Sequence, residues 1–206
     1  MPLVTQAPAQ AIISEQTKKS IERKRLVKIG VWTTGILAFL FLIATFVIGP
    51  YQVQGISMQP TFHTNDIVLV WELPQTWAKI TGSQYVPARG NIVVVQKSPI
   101  LGEQLIKRVI GLPGDRVAIA NNMLTIFNSS HPAGFNPDRT LRDAHLIPPD
   151  DTLTTQVGDG QVFIMGDNRT TGASIDSRSS LGTIPSKAVV GKVVVRIYPF
   201  NKIKLF

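Results

Sequence analysis

From Ile29 to Pro50 the chain reads IGVWTTGILAFLFLIATFVIGP, 22 residues without a charge. A helix of that length crosses a hydrocarbon core of about 30 Å. A buried core helix is the competing reading, but no polar face recurs in the run at helical spacing. The flanks also favour a membrane. Lys18, Lys19, Arg23, Lys24, Arg25 and Lys28 precede the run, and no Lys or Arg follows it until Lys79. The positive-inside rule then places the N-terminus in the cytoplasm and the bulk of the chain outside. A cleaved signal peptide would have a shorter apolar region, about 7–15 residues, and a small-x-small cleavage site, for which VIGPYQVQG is a poor candidate. The run therefore reads as an uncleaved signal anchor in a single-pass protein of the cell membrane. The expected organisation is a cytoplasmic basic tail over residues 1–28, its first 17 residues unstructured, then an anchor over 29–50 and an extracytoplasmic domain over 51–206.

Roughly 155 residues beyond the anchor suffice for one compact domain. The formal net charge is +8, and residues 1–28 supply +4 of it (six basic against Glu15 and Glu22). No dense Lys/Arg stripe with interleaved aromatics is present, so nucleic acid is not an expected partner. The chain has no cysteine, which removes disulfides, thiol nucleophiles and cysteine-ligated metals. Its three histidines, His63, His131 and His145, make no spaced metal pair, and no cofactor is expected.

Beyond Pro50 the apolar residues come in short Val/Ile-rich runs bounded by Gly, Pro, Asn and Asp: 66–72, 91–96, 103–112, 116–120, 123–127, 161–166 and 188–200. Short helical turns are expected near 75–81 and 185–189. The fold class is mostly β, a barrel or two packed sheets after one transmembrane helix. Residues 128–160 are polar and proline-rich and read as an excursion from the core with one hairpin.

GISMQPTF begins five residues after the apolar run ends, with Ser57 between a glycine and a proline. A serine that attacks a carbonyl needs a positioned base. His63 lies in a turn-like segment, and His145 with Asp143 in the polar excursion, where solvated surface histidines are the better reading. The other known base is a neutral lysine. In water only about one lysine in a thousand is neutral near pH 7.5, and burial among apolar groups raises that fraction. A lysine base should thus interrupt an apolar stretch, as Lys107 does in EQLIKRVIGLPGD. Strand alternation puts Leu105, Lys107 and Val109 on one face and Ile106, Arg108 and Ile110 on the other. A charge-guarded edge strand is the alternative reading of this segment. A third cluster, MGDNRTTGASIDSRSS, concentrates Asp167, Asn168, Arg169, Ser174, Asp176, Ser177 and Arg178. It reads either as a solvated loop or as a network behind an active site.

GISMQPTF, the NDIVLV strand, KRVIGLPGD and GDNR…SIDSR, in that order after a signal anchor, resemble the bacterial type I signal peptidases, and the single anchor and short external domain resemble the Gram-positive members. The resemblance implies a membrane-bound serine endopeptidase that removes signal peptides from exported preproteins, with small residues before the cut. Carried over by position, it implies Ser57 as nucleophile, Lys107 as general base and Ser174 as the hydroxyl that holds the lysine. Asp176, Arg178, Arg108, Asp167 and Arg169 would support the site, and the Ser57 backbone amide would serve the oxyanion. The chain departs from the family pattern twice. Gly55 stands where some members carry a serine, and four residues, Thr170 to Ala173, separate Arg169 from Ser174 where two are usual.

Overall fold

The computed structural model describes residues 7–97, 103–140 and 152–206. The chain divides into two units, Met1–Thr45 and Phe46–Phe206. The first is the greater part of one long helix, α1 (Ala7–Val47). Within it, Lys18–Leu42 is long and apolar enough to cross a membrane, with a mean hydropathy of 1.6 and none of it buried. A core helix would bury such residues. The helix is already formed at Ala7, where the sequence suggested an unstructured tail. It stops at Val47, three residues before the end of the apolar run. Ile48–Pro50 belong instead to strand β1 (Ile48–Gln52), which pairs with β2 (Ile67–Trp71) at the edge of a sheet. Pro50 is the reason the helix cannot continue, and an edge strand tolerates its missing N–H.

The remaining elements are helix α2 (Leu73–Thr81) and strands β3 (Ile92–Gln96), β4 (Gln104–Gly111), β5 (Arg116–Ala120), β6 (Met123–Asn128), β7 (His131–Phe135), β8 (Leu153–Gln156), β9 (Gln161–Met165), β10 (Ile184–Pro185), β11 (Val189–Tyr198) and β12 (Lys204–Leu205). Two sheets result. The larger has the order β1-β2-β11-β3-β4-β9-β10, with β12 on β11, and the smaller has the order β7-β6-β5-β8. Short 3-10 turns at Pro137–Thr140, Ser186–Ala188 and Phe200–Lys202 complete the described fold.

Burial explains why some runs are continuous and others alternate. β3 is central and buried on both faces. Ile92 and Val94 enter one apolar cluster with Val53, Met58, Phe62 and Val70, while Val93 and Val95 enter another with Val109, Val162 and Ile164. Such a strand reads as an unbroken IVVV run. β9 does the same, sending Phe163 and Met165 into a third cluster with Ile110, Val117, Ile119, Leu124 and Ile126.

Two expectations change. Residues 128–160 are less of an excursion than their polarity suggested, since β7 pairs with β6 and β8 with β5, closing both edges of the smaller sheet. Both strands are half-exposed, and β7 carries Pro132 and Gly134, so their composition hides them. β4 is not an edge strand. It pairs along Gln104–Arg108 with β3 and along Arg108–Gly111 with β9. The charges at Lys107 and Arg108 therefore do not guard a sheet edge.

Where β4 passes toward the smaller sheet, the chain has no room for a side chain. A Cβ on Gly111 would stand 2.9 Å from Phe163 Cβ and from the Cγ2 atoms of Val117 and Val157. Gly111→Ala should therefore destabilise the protein by about 1–3 kcal/mol through overpacking, read as a lower midpoint in urea or thermal unfolding.

Candidate active site

Ser57 lies in the segment between β1 and β2, and the core fixes that segment. Met58 and Phe62, 2% and 0% exposed, sink into the apolar cluster beneath it, and the Phe62 amide donates to the Met58 carbonyl at 2.9 Å. Arg196 of β11 donates from Nη1 to the Thr61 carbonyl (2.9 Å) and to Asp66 Oδ2 (3.1 Å). Gly55 precedes Ser57 with φ +86°, a left-handed conformation that favours glycine. A side chain there would meet nothing within 4 Å, so backbone conformation, not space, disfavours one. The half-buried Ser57 thus sits on a polar turn whose neighbours are anchored in the core.

Lys107 reaches this turn from β4. It is 2% exposed, and its Nζ donates to Ser57 Oγ at 2.8 Å and to the Ile106 carbonyl at 2.9 Å. Burial lowers the amine's pKa from 10.5 to about 8, although the carboxylates of Asp176 and Asp167 pull it back up. Beside the pair is a cleft of about 370 Å³, lined by Gln52, Val53, Met58, Gln104, Leu105 and Ile106. On the side of β4 away from β3, Gln104–Lys107 have no ladder partner among the described residues, because β9 begins to pair only at Arg108. No acceptor meets the Ser57 amide among the described residues.

The third sequence cluster follows β9 and lies behind the serine. Asp167, 0% exposed, receives Arg108 Nε (2.8 Å) and Nη2 (2.6 Å) and the Thr61 hydroxyl. Asp176 receives the Gly166 amide (2.9 Å) and Arg178 Nε and Nη2 (3.0 Å each). Burial alone would raise the Asp176 pKa, but Arg178 and the Gly166 amide outweigh it and hold the carboxyl below its usual range. Arg169, also 0% exposed, donates through Nε to the Gly166 carbonyl (2.6 Å) and through both terminal nitrogens to Asp138 (3.1 Å each). Asn168 donates its amide to the Ser57 carbonyl at 3.0 Å. The solvated-loop reading therefore fails for Asp167, Arg169 and Asp176, and these residues form a buried framework.

The enlarged loop is accommodated as a turn. The Ala173 amide donates to the Thr170 carbonyl at 3.0 Å, and Gly172 takes φ +79° at the third position, as a type II turn requires. The four residues between Arg169 and Ser174 thus fold into one reverse turn. Ser174 is brought against the site, since a Cβ on Gly166 would lie 2.4 Å from the Ser57 carbonyl oxygen and 2.5 Å from Ser174 Oγ. Ser174 Oγ is buried near the Asp176 carboxylate without a partner in hydrogen-bond geometry, and Lys107 Nζ is not directed to it.

His63 is exposed, His145 and Asp143 lie outside the described residues, and no cluster of metal-ligating side chains occurs among the described ones. Sequence reasoning missed Gly166, which only glycine can fill between Ser57 and Ser174. It also missed Thr61 and Asp138, which carry no local signal and meet their partners only through the tertiary fold.

Residues 25–198 match the family model described as "Signal peptidase, peptidase S26". Signal peptidase I S of Bacillus subtilis (strain 168) is 35% identical over 79% of this chain and 84% of its own. Signal peptidase IB of Staphylococcus aureus (strain Mu50) is 31% identical over 80% of this chain and 85% of its own. Among solved structures, a signal peptidase I from Enterococcus faecalis V583 aligns with a TM-score of 0.39 at 26% identity, over 53% of this chain and 98% of its own.

The buried lysine carries a stability signature. Between about pH 8 and 10.5 the folded protein has released the Lys107 proton and the unfolded chain has not, so this group makes stability rise with pH over that window. Below it the folded state bears the cost of a buried ammonium, on the order of 3 kcal/mol. Lys107→Met should be more stable than the parent near pH 7, with the difference shrinking as pH rises toward 10.5, measured by urea unfolding across that range.

Proposed function

Because this chain belongs to the signal peptidase family, peptidase S26, we propose that it is a membrane-anchored serine endopeptidase that removes signal peptides from exported preproteins, with Ser57 as nucleophile and Lys107 as general base. Membership makes it a serine peptidase. The assignment of roles is carried by one observation: a buried amine with a depressed pKa lies 2.8 Å from the hydroxyl of Ser57.

The substrate's cleavage region lies extended along the unpaired half of β4 and adds a strand to the sheet. The scissile carbonyl is then presented to Ser57 Oγ. Val53, Met58, Leu105 and Ile106 give the cleft short apolar walls that suit small residues before the cut. As Ser57 attacks, its proton passes to neutral Lys107, and the Ser57 amide donates to the developing oxyanion. Lys107 then gives that proton to the leaving amine, releasing the mature chain. Water, deprotonated by the same amine, hydrolyses the acyl-enzyme and frees the signal peptide. Asp167, Arg169, Asp176, Arg178 and Arg108 hold the loop behind the nucleophile, and Ser174, whose Oγ is buried and unpaired beside the site, would turn to the amine to orient it.

The uncharged stretch from Ile29 to Asn65, with the basic residues before it, supports a single-pass anchor with a cytoplasmic N-terminus, an extracytoplasmic catalytic unit over residues 51–206 and a catalytic edge resting on lipid.

Detergent-solubilised protein incubated with a labelled preprotein should yield one new N-terminus, identified by sequencing, just after a small residue. Ser57→Ala should yield none, and cutting by that variant would overturn the nucleophile assignment. The rate should fall as pH drops through about 8, where the amine takes up its proton. A rate unchanged well below neutral pH would overturn the lysine base.

A further inference from the structure

The loop that cradles Ser57 begins at Gly166, and its position is set from outside the loop. Gly166 is gripped on both sides of its α-carbon, through the two peptide groups it joins. Its amide donates to Asp176 Oδ2 at 2.9 Å, and its carbonyl receives Arg169 Nε at 2.6 Å. Its α-carbon touches the site directly, with the Ser57 carbonyl and Ser174 Oγ where a Cβ would stand. Two residues later the Asn168 amide donates to that same Ser57 carbonyl. Any shift of Gly166 is therefore a shift of Ser57 relative to Lys107.

Asp176 is fixed from within the loop, by Arg178 two residues on. Arg169 is fixed from elsewhere. Its guanidinium is fully buried, and Asp138 takes both terminal nitrogens in a bidentate pair. Such a planar fork sets direction as well as charge. Asp138 comes from the 3-10 turn Pro137–Thr140 directly after β7, the edge strand of the smaller sheet, where the Asn136 side chain caps its amide at 2.9 Å. The Arg169 carbonyl in turn receives Arg178 Nη1 at 2.6 Å, which links the two arginines. The enlarged turn Thr170–Ala173 hangs from this point. The turn starts from Arg169, is closed by the Ala173 amide on the Thr170 carbonyl, and leads directly into Ser174.

We infer that Asp138 is a positioning residue for the reaction. From the smaller sheet it fixes Arg169, and through Arg169 it sets the Gly166 peptide and the start of the enlarged loop against Ser57 and Ser174. The inference rests on the proposed peptidase reading for its kinetic consequence, but not for its structural one. Asp138 touches neither Ser57 nor Lys107 in the structure, so it orients and does not react.

The full-length protein in detergent tests this in two ways. In Asp138→Ala, amide hydrogen exchange should speed up in peptides covering residues 165–178 and stay unchanged in those covering β3 and β11. A merely structural role would raise exchange in all of them. In the preprotein assay kcat should fall roughly 10- to 100-fold, the scale of a misplacement of about 1 Å, while KM stays within about twofold. If Asp138→Ala does not fold, Asp138→Asn keeps the side-chain shape and should show the same local pattern with a smaller loss. Unchanged exchange in 165–178, a kcat equal to the parent's, or unfolding of both variants would overturn the inference. Failure of the parent protein to cut a preprotein would overturn the proposed function instead, and the exchange pattern alone would then decide the role of Asp138.

Discussion

The contact between Lys107 Nζ and Ser57 Oγ places a demand on everything around it. Burial makes a lysine's charged form unfavourable, and here the Lys107 side chain is removed from water inside a sheet. The two carboxylates nearest in influence, Asp176 and Asp167, oppose the effect. Each is engaged by an arginine, Arg178 and Arg108, which directs its charge away from the amine. The depressed pKa is thus the balance between desolvation by β4 and its neighbours and residual attraction from two partly neutralised acids. Its cost is borne by the large apolar clusters on both faces of β3 and β9.

Buried arginine–carboxylate pairs recur around the site: Arg108 with Asp167, Arg178 with Asp176, Arg169 with Asp138, and Arg196 with Asp66 beneath the turn that carries Ser57. Such pairs add little net stability compared with well-packed apolar groups, yet breaking one leaves an uncompensated charge. Their value here is geometric. Each ties a polar segment to a strand or a second loop at a defined angle, and together they hold backbone that apolar packing alone would leave adjustable. The apolar counterpart is Gly166, where the absence of a side chain lets the Ser57 carbonyl and the Ser174 hydroxyl come together.

The sequence made the strands with one buried face, or with two, easy to read. The runs at 91–96, 116–120 and 161–166 coincide with β3, β5 and β9 to within a residue, because burial demands a Val/Ile-rich pattern. Strands that close an edge were harder. β7, with Pro132 and Gly134, and β8, with Thr154 and Gln156 exposed, carry too little apolar character to stand out from a loop. The end of the long helix was misplaced for a related reason, since hydropathy does not distinguish the last turn of a membrane helix from an apolar edge strand.

By itself the sequence marked out the candidate residues. A lysine in an apolar run and an acid–arginine cluster after a β-run stand out locally, but only their ordered resemblance to the type I signal peptidases picked out Ser57, Lys107, Asp167, Asp176 and Arg178 together. It also determined the presence of one long apolar helix and the mostly β character, both of which follow from short-range patterns. What only the tertiary structure decided is where those residues stand relative to each other. That β4 is central and half unpaired, that four extra loop residues close into one turn, and that Asp138 anchors Arg169 all depend on contacts between segments tens of residues apart. Local propensity holds no record of such contacts, because their geometry is set when the sheets pack and the buried charges find partners.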